Sequence, residues 1–248
     1  MFAGRRRSVN FDGPTKSTMR RLLGALGSFV APPLCVLCER PGLPGPVDLC
    51  AGCLGGLPRS AGDDPALAGG FELICCPWKF DFPIDVLIRA LKFHGERSHA
   101  RVLGTLLARE RALDPAPLPD LVVPVPLHPL RLRERGYNQA AELARFAARE
   151  LGLPFAPNAL HRLRPTREQT RLRSKDRTAN VRGAFAAIGS LAGRRVALVD
   201  DVVTTGSTAG AAAAALAQSD TRGVELWVVA RAVRRVPRAA MPVRGPGR

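Results

Sequence analysis

The stretch Val196-Ala197-Leu198-Val199 runs into two acids, Asp200 and Asp201, and then into Val202-Val203-Thr204-Thr205-Gly206-Ser207-Thr208. An apolar run of this kind reads as a buried strand, and the Ala-rich residues 207 to 218 that follow read as a helix. The hydroxyl-rich turn between them lets successive backbone N–H groups and the Thr and Ser hydroxyls converge on an anion at the helix N-terminus. Gly206 allows close backbone approach and a positive φ. Acids beside a phosphate cradle make sense only if they meet another group, such as ribose hydroxyls, so a phosphorylated sugar satisfies both halves. The stretch lacks the Gly-Lys-Ser/Thr ending of a P-loop and is not a Gly-x-Gly-x-x-Gly dinucleotide turn. An Asp pair capping an ordinary helix would leave the two hydroxyl residues and the glycine unexplained.

Elsewhere the chain alternates helical and strand patterns. Ile84, Leu87, Ile88 and Leu91 recur at helical spacing, a second helical pattern runs from about Ser98 to Leu113, and a third from Gln139 to Leu151. Leu121 to Val125 is a short apolar run bounded by prolines, and Arg195 to Val199 and Val224 to Val229 are β-branched runs on either side of the Ala-rich helix. Strand, helix, strand in that order predicts an α/β domain with a parallel sheet flanked by helices. With 248 residues there is room for one such domain and a small appendage.

The appendage is marked by Cys35-x2-Cys38 and Cys50-x2-Cys53. Two thiolates from one tight turn and two from another complete a tetrahedral four-sulfur site that suits Zn2+, in the arithmetic of a zinc ribbon or treble clef. Four protein ligands leave no open coordination position, which argues for a structural ion. Two disulfides, or unrelated thiols, are the alternative. Cys75 and Cys76 lie in the apolar run Phe71 to Cys76 and are expected to be buried small side chains facing opposite ways. The Gly-, Pro- and Asp-rich residues 58–70 read as a linker, which divides the chain into a basic tail over 1–17, a helix and zinc-ribbon-like module over 18–57, the linker, a main domain over 71–233 and a second basic tail over 234–248.

The net charge is +16. Residues 131–182 carry 13 basic against 5 acidic side chains, and both tails are strongly basic, while the remainder is close to neutral. Nearly all of the cations are arginines, a preference that a GC-rich genome alone could impose. Basic tails are usually solvated arms and less often contacts to nucleic acid or anionic lipid. No run approaches the ~18 apolar residues of a membrane span. Arg20-Arg21 ahead of Leu22 to Val30 loosely mimics a twin-arginine signal, but no small-x-small cleavage site follows. A short amphipathic helix over 18–29 in a cytoplasmic protein is the reading adopted.

The thirteen residues Val196 to Thr208 resemble the phosphoribosyl pyrophosphate (PRPP) loop of type I phosphoribosyltransferases. Leu91-Lys92-Phe93-His94-Gly95, Val123-Pro-Val-Pro-Leu-His128-Pro, Arg135-Gly136-Tyr137-Asn138-Gln139-Ala140 and the Arg164, Thr166, Gln169, Leu172 pattern with Arg177 and Asn180 are similar to the ComF family of competence-associated phosphoribosyltransferase-like proteins, GntX group included. The resemblance implies the type I phosphoribosyltransferase fold. It also implies ribose hydroxyl binding and catalysis at Asp200 and Asp201, and 5′-phosphate binding at Thr204, Thr205, Gly206, Ser207 and Thr208. A pyrophosphate loop over 127–139 would supply Arg131, Arg133 and Arg135. Lys92 and His128 are further candidate contacts, and residues 164–182 would form a closing loop with Arg167, Arg171, Lys175 and Arg177. The implied cofactors are Mg2+, bound with PRPP, and structural Zn2+ at Cys35, Cys38, Cys50 and Cys53. The implied activity is phosphoribosyl transfer to an unidentified acceptor, associated with DNA uptake. The alternative is a non-catalytic PRPP sensor or zinc-ribbon accessory that docks a DNA-processing helicase or single-stranded DNA. Aromatic residues make up only 5% of the chain and barely interleave with the arginines, a poor basis for stacking on single-stranded bases. Many relatives carry a longer cysteine-rich N-terminus, whereas here no further CxxC follows Cys53.

Overall fold

The computed structural model describes residues 33–60, 70–93, 97–163 and 183–232. The expected helix over 18–29, both tails and the expected closing loop over 164–182 fall outside them, as do residues 61–69 of the expected linker. The chain forms two compact units, Met1–Gly55 and Gly56–Arg248.

The first unit turns on its cysteines. Cys35 N–H donates to the Arg40 carbonyl and Glu39 N–H to the Cys35 carbonyl, closing a knuckle in which Glu39 takes φ 60°. Leu34 bridges Pro41 across its base. The second pair enters a five-residue helix, α1 (Ala51–Gly55), where the Cys53 N–H points to the Cys50 sulfur at 3.4 Å. The second pair thus lies at the start of a helix, where a second tight turn was expected.

In the second unit, β1 (Leu73–Cys75), β2 (Trp78–Lys79), β3 (Leu121–Pro124), β6 (Arg195–Val203) and β7 (Gly223–Arg231) form one parallel sheet. The strand order is β1-β7-β6-β3, with β2 also on β7. Between them run α2 (Ile84–Phe93), α3 (Arg97–Ala112), α4 (Pro129–Arg135), α5 (Gln139–Leu151) and α6 (Ser207–Ala217). A separate antiparallel pair joins β4 (Leu160–Arg162) to β5 (Phe185–Ala187). The central strands are buried on both faces, as parallel strands under helices must be. One face, with Val123, Val196, Leu198, Val224, Leu226 and Val228, packs with Ala209, Ala212, Ala213 and Leu216 of α6 and with Leu160 and Phe185 of the small pair. Residues of the opposite parity, among them Val122, Ala197, Val199, Trp227 and Val229, are equally buried, and α3 and α5 meet the sheet and one another. The α2 period is borne out, since Ile84, Leu87, Ile88 and Leu91 are at most 1% exposed. Burial contributes about 1.5–3 kcal/mol for each such side chain.

One polar cluster lies inside this packing. Arg111 and Glu225 are 0% and 2% exposed, and the guanidinium binds both carboxylate oxygens, at 2.8 and 3.0 Å. Trp227 Nε1 donates to the same carboxylate, and Arg111 also donates to the Ala116 and Pro117 carbonyls. Removing one partner would strand a buried charge, at a cost of about 3–5 kcal/mol. Cys75 and Cys76 are only partly buried, and burial pushes both thiols up to about 12. Cys76 packs on the α6-side core, while Cys75 lies within the electrostatic reach of Arg111 and Glu225, so the two do face opposite ways.

Candidate functional site

Strand β6 does not stop at its acids. Pairing with β7 continues through Asp200↔Val228, Val202↔Ala230 and Val203↔Arg231, so Asp200 and Asp201 sit inside the strand on alternate faces. The ladder prolongs the strand because Val202 and Val203 favour it and β7 extends equally far. Asp201, 9% exposed, holds Lys92 Nζ of α2 at 2.7 Å through Oδ2. Its Oδ1 accepts from Val202 N–H at 2.7 Å, and Asp200 Oδ1 accepts from Asp201 N–H at 2.9 Å. Burial, and then the charge of Asp201, push the Asp200 carboxyl up to about 7, against the pull of a backbone N–H and Lys92. The two acids are therefore inequivalent.

After the strand the chain turns through Gly206, whose φ of 72° is the left-handed conformation that favours glycine. Gly206 is the N-cap of α6 and supplies no side-chain cap, so the helix opens with uncapped amide dipoles. Thr205 Oγ1 and Ser207 Oγ are 2.8 Å apart across this turn.

The turn forms one wall of a cavity of about 780 Å3. Of the residues expected to hold the ligand, Lys92, Arg131, Arg135, Asp200, Asp201, Thr204, Thr205, Gly206, Ser207 and Thr208 line it. Much of the expected 127–139 loop is the helix α4, with Pro129 in its first turn and Gly136 at φ 76° closing it. His128 lines the cavity as the cap of α4, its Nδ1 accepting from Leu130 N–H at 3.3 Å. Helical geometry corrects one expectation: Arg131 and Arg135 are four apart and share a face, while Arg133, two residues along, does not line the cavity.

Four further polar residues line the cavity without having been expected as ligands: Glu134, Asn138, Gln139 and Arg162. Arg162 comes from the three-residue β4, and its guanidinium lies 5.5 Å from the Phe185 ring centroid. Burial and the neighbouring Arg131 charge lower its pKa, against the pull of Asp200. Asn138 caps α5, accepting from Ala140 N–H at 3.1 Å and donating to the Val125 carbonyl at 3.0 Å, which fastens the helix start to the end of β3. An Asn directly ahead of a helical period was the available sequence signal.

In the first unit the sulfurs of Cys35, Cys38, Cys50 and Cys53 all lie within 4.8 Å of one another, with Cys38 and Cys50 at 3.6 Å. A tetrahedral site with Zn–S near 2.3 Å has sulfur edges of about 3.8 Å, so the cluster could hold a zinc ion. Burial raises the Cys35 pKa, but N–H groups at Cys50, Leu37 and Cys38 outweigh it and bring the thiol down to about 6. Hydrogen bonding with Cys38, then burial, push Cys53 up to about 12. Four thiolates cannot share this space without a cation, and a divalent ion meets that need.

Fold and site together define an α/β protein with a strand, an acid pair, a hydroxyl turn and a helix around one polar cavity, and with a four-cysteine module ahead of it. No protein-family model matches the chain. Among curated proteins it is 36% identical over 157 residues to Competence protein F of Haemophilus influenzae, covering 60% of this chain and 69% of that protein. It is 32% identical over 228 residues to DNA utilization protein YhgH of Escherichia coli O157:H7, covering 82% of this chain and 99% of that protein. The chain belongs to the ComF family, that of Competence protein F and YhgH. Among solved structures, glutamine PRPP amidotransferase from B. subtilis aligns at TM-score 0.36 and 24% identity over 51% of this chain and 25% of that one. TT1426 from Thermus thermophilus aligns at 0.34 and 23% over 56% and 86%. The parallel sheet flanked by helices, with a zinc-ribbon-like module ahead of it in the chain, is visible in the chain's own topology.

Proposed function

We propose that the chain binds PRPP in this cavity and transfers its phosphoribosyl group to an acceptor, in the DNA uptake or utilisation for which its relatives are named. The observation that carries this reading is the convergence of ten of the expected ligand residues, from four separate elements and the turn before α6, on one cavity. In it, Asp200 and Asp201 accept hydrogen bonds from the ribose hydroxyls, and the Thr204–Thr208 turn with the α6 N-terminus holds the 5′-phosphate. Arg131, Arg135 and Lys92 balance the diphosphate. Hard carboxylate oxygens beside a diphosphate suit Mg2+, which when bound would neutralise charge building on the leaving group. The bond from ribose C1 to the diphosphate oxygen breaks as the acceptor bonds to C1 and loses its proton, releasing pyrophosphate. Zn2+ is structural at Cys35, Cys38, Cys50 and Cys53.

Calorimetry with PRPP and Mg2+ tests the reading. The wild type should bind, and Asp200→Asn/Asp201→Asn should lose at least about tenfold in affinity, two charge-assisted hydrogen bonds being removed. Failure of the wild type to bind at millimolar PRPP would overturn it. A PRPP-sensing accessory of a helicase or single-stranded DNA shares the ligand and lacks turnover, so pyrophosphate release on adding candidate acceptors separates the two.

A further inference from the structure

Tyr137 is the only tyrosine of the chain, and it does not line the cavity. Its hydroxyl donates to the carbonyl of Leu91, 46 residues earlier. Leu91 stands in the last turn of α2, where carbonyls lack an N–H partner within their own helix. The next residue is Lys92, whose Nζ holds Asp201 Oδ2 at 2.7 Å. A lysine stem has four flexible carbons, so where its ammonium rests depends on how firmly its backbone is held. Tyr137 is itself fixed from both sides. Gly136 closes α4 at φ 76°, and Asn138 caps α5 while donating to the Val125 carbonyl at 3.0 Å. Val125 N–H in turn donates to the carbonyl of Val199, the residue before Asp200, at 2.8 Å. These bonds close a ring that leaves β6 at Val199, passes through the end of β3, Asn138, Tyr137, the end of α2 and Lys92, and returns to β6 at Asp201. Asn138 and Lys92 line the cavity beside this ring, and the tyrosine hydroxyl ties α2 to the α4–α5 junction.

We infer that Tyr137 is a positioning residue: its hydroxyl fixes the end of α2 so that Lys92 holds the Asp201 carboxylate in place for the ribose hydroxyls. The ribose contact rests on the phosphoribosyl reading; the coupling of Tyr137 to the Lys92–Asp201 pair does not. Phenylalanine would fill the same space and leave the Leu91 carbonyl without this donor, so the hydroxyl alone carries the effect.

The test is a double-mutant cycle on the whole chain, by calorimetry with PRPP and Mg2+ on the wild type, Tyr137→Phe, Lys92→Met and the double variant. Tyr137→Phe should weaken PRPP about fivefold in the wild-type background, the worth of one neutral hydrogen bond. In the Lys92→Met background the same change should cost less than about twofold, because residues that act through one another are not additive. A hydroxyl that only stabilises the fold would lower the melting temperature and leave the two losses equal. A second readout needs no ligand. The chain has only four lysines, so the side-chain ammonium NMR signal of Lys92 can be assigned by its loss in Lys92→Met. An ammonium held on a carboxylate exchanges its protons slowly enough to be seen. The signal should be present in the wild type, vanish in Asp201→Asn and weaken in Tyr137→Phe. Equal PRPP losses in both backgrounds, unchanged PRPP binding in Tyr137→Phe, or a Lys92 signal indifferent to the hydroxyl would each overturn the inference. A wild type that binds no PRPP, with a Lys92 signal that still depends on Tyr137, would sustain the coupling and overturn the phosphoribosyl reading alone.

Discussion

Asp200 and Asp201 are adjacent in one strand, yet their surroundings give them different chemistry. Asp201 has Lys92 at 2.7 Å, whereas burial and the Asp201 charge push Asp200 from 3.8 to about 7. A raised carboxyl pKa means that the folded chain holds a proton the unfolded chain releases. The contribution is therefore most favourable below about pH 4, declines as pH rises, and is fully lost above the folded value of about 7. Asp200→Asn removes that penalty. Thermal melts of the free chain should show little difference between variant and wild type near pH 4 and a gain for the variant that grows through pH 7 and then levels off. A difference independent of pH would contradict the assignment. The acid pair was legible in the sequence because two adjacent acids after an apolar run have few other uses. The places of Arg162 and Gln139 in the cavity lining were not, because they depend on which side chains converge from separate elements.

The contact between α3 and α5 is made possible by Gly104. A Cβ at that position would lie 2.6 Å from the Leu143 carbonyl oxygen and 3.0 Å from the Phe146 Cβ. The carbonyl belongs to a helix backbone and cannot swing aside, so Gly104→Ala must push the helices apart. Overpacking of this kind costs about 1–3 kcal/mol, against about 1 kcal/mol of helix propensity that alanine returns, and the clash with fixed backbone puts this site towards the upper end. Urea unfolding should report the loss as a lower midpoint with an unchanged slope; a midpoint equal to the wild type would show that α5 can shift freely. The long elements followed from their periods, and α5 falls on its expected bounds, Gln139–Leu151. The rest escaped for a common reason: β4 and β5 are three residues each, and the last part of β6 is held by its pairing with β7. Such segments are fixed by pairing more than by their own composition, which sequence periodicity does not register. The helix α4 was masked by a family expectation of a loop, although Pro129 ahead of an arginine-rich turn and Gly136 beyond it fit helix boundaries.

At the scale of the molecule the two units differ in what can hold them together. Unit Gly56–Arg248 has a sheet buried on both faces. In the described part of Met1–Gly55 the buried apolar side chains are Cys35, Val47 and Leu49, far too few to offset the chain entropy of even so short a segment. A metal crosslink would supply what the core lacks, and Zn2+ is an ion that the four-cysteine cluster could hold. The purified chain should therefore contain about one zinc, as four thiolates fill one tetrahedral site, and Cys35→Ser or a strong chelator should remove it. Both tryptophans, Trp78 and Trp227, are buried in the second unit, so their fluorescence reports on the sheet alone. Loss of zinc should open peptide bonds around residues 33–55 to protease while the tryptophan-monitored unfolding midpoint stays in place. A chain purified under reducing conditions without metal, yet protease-resistant over that segment, would show that the four thiols stabilise it by some means other than zinc.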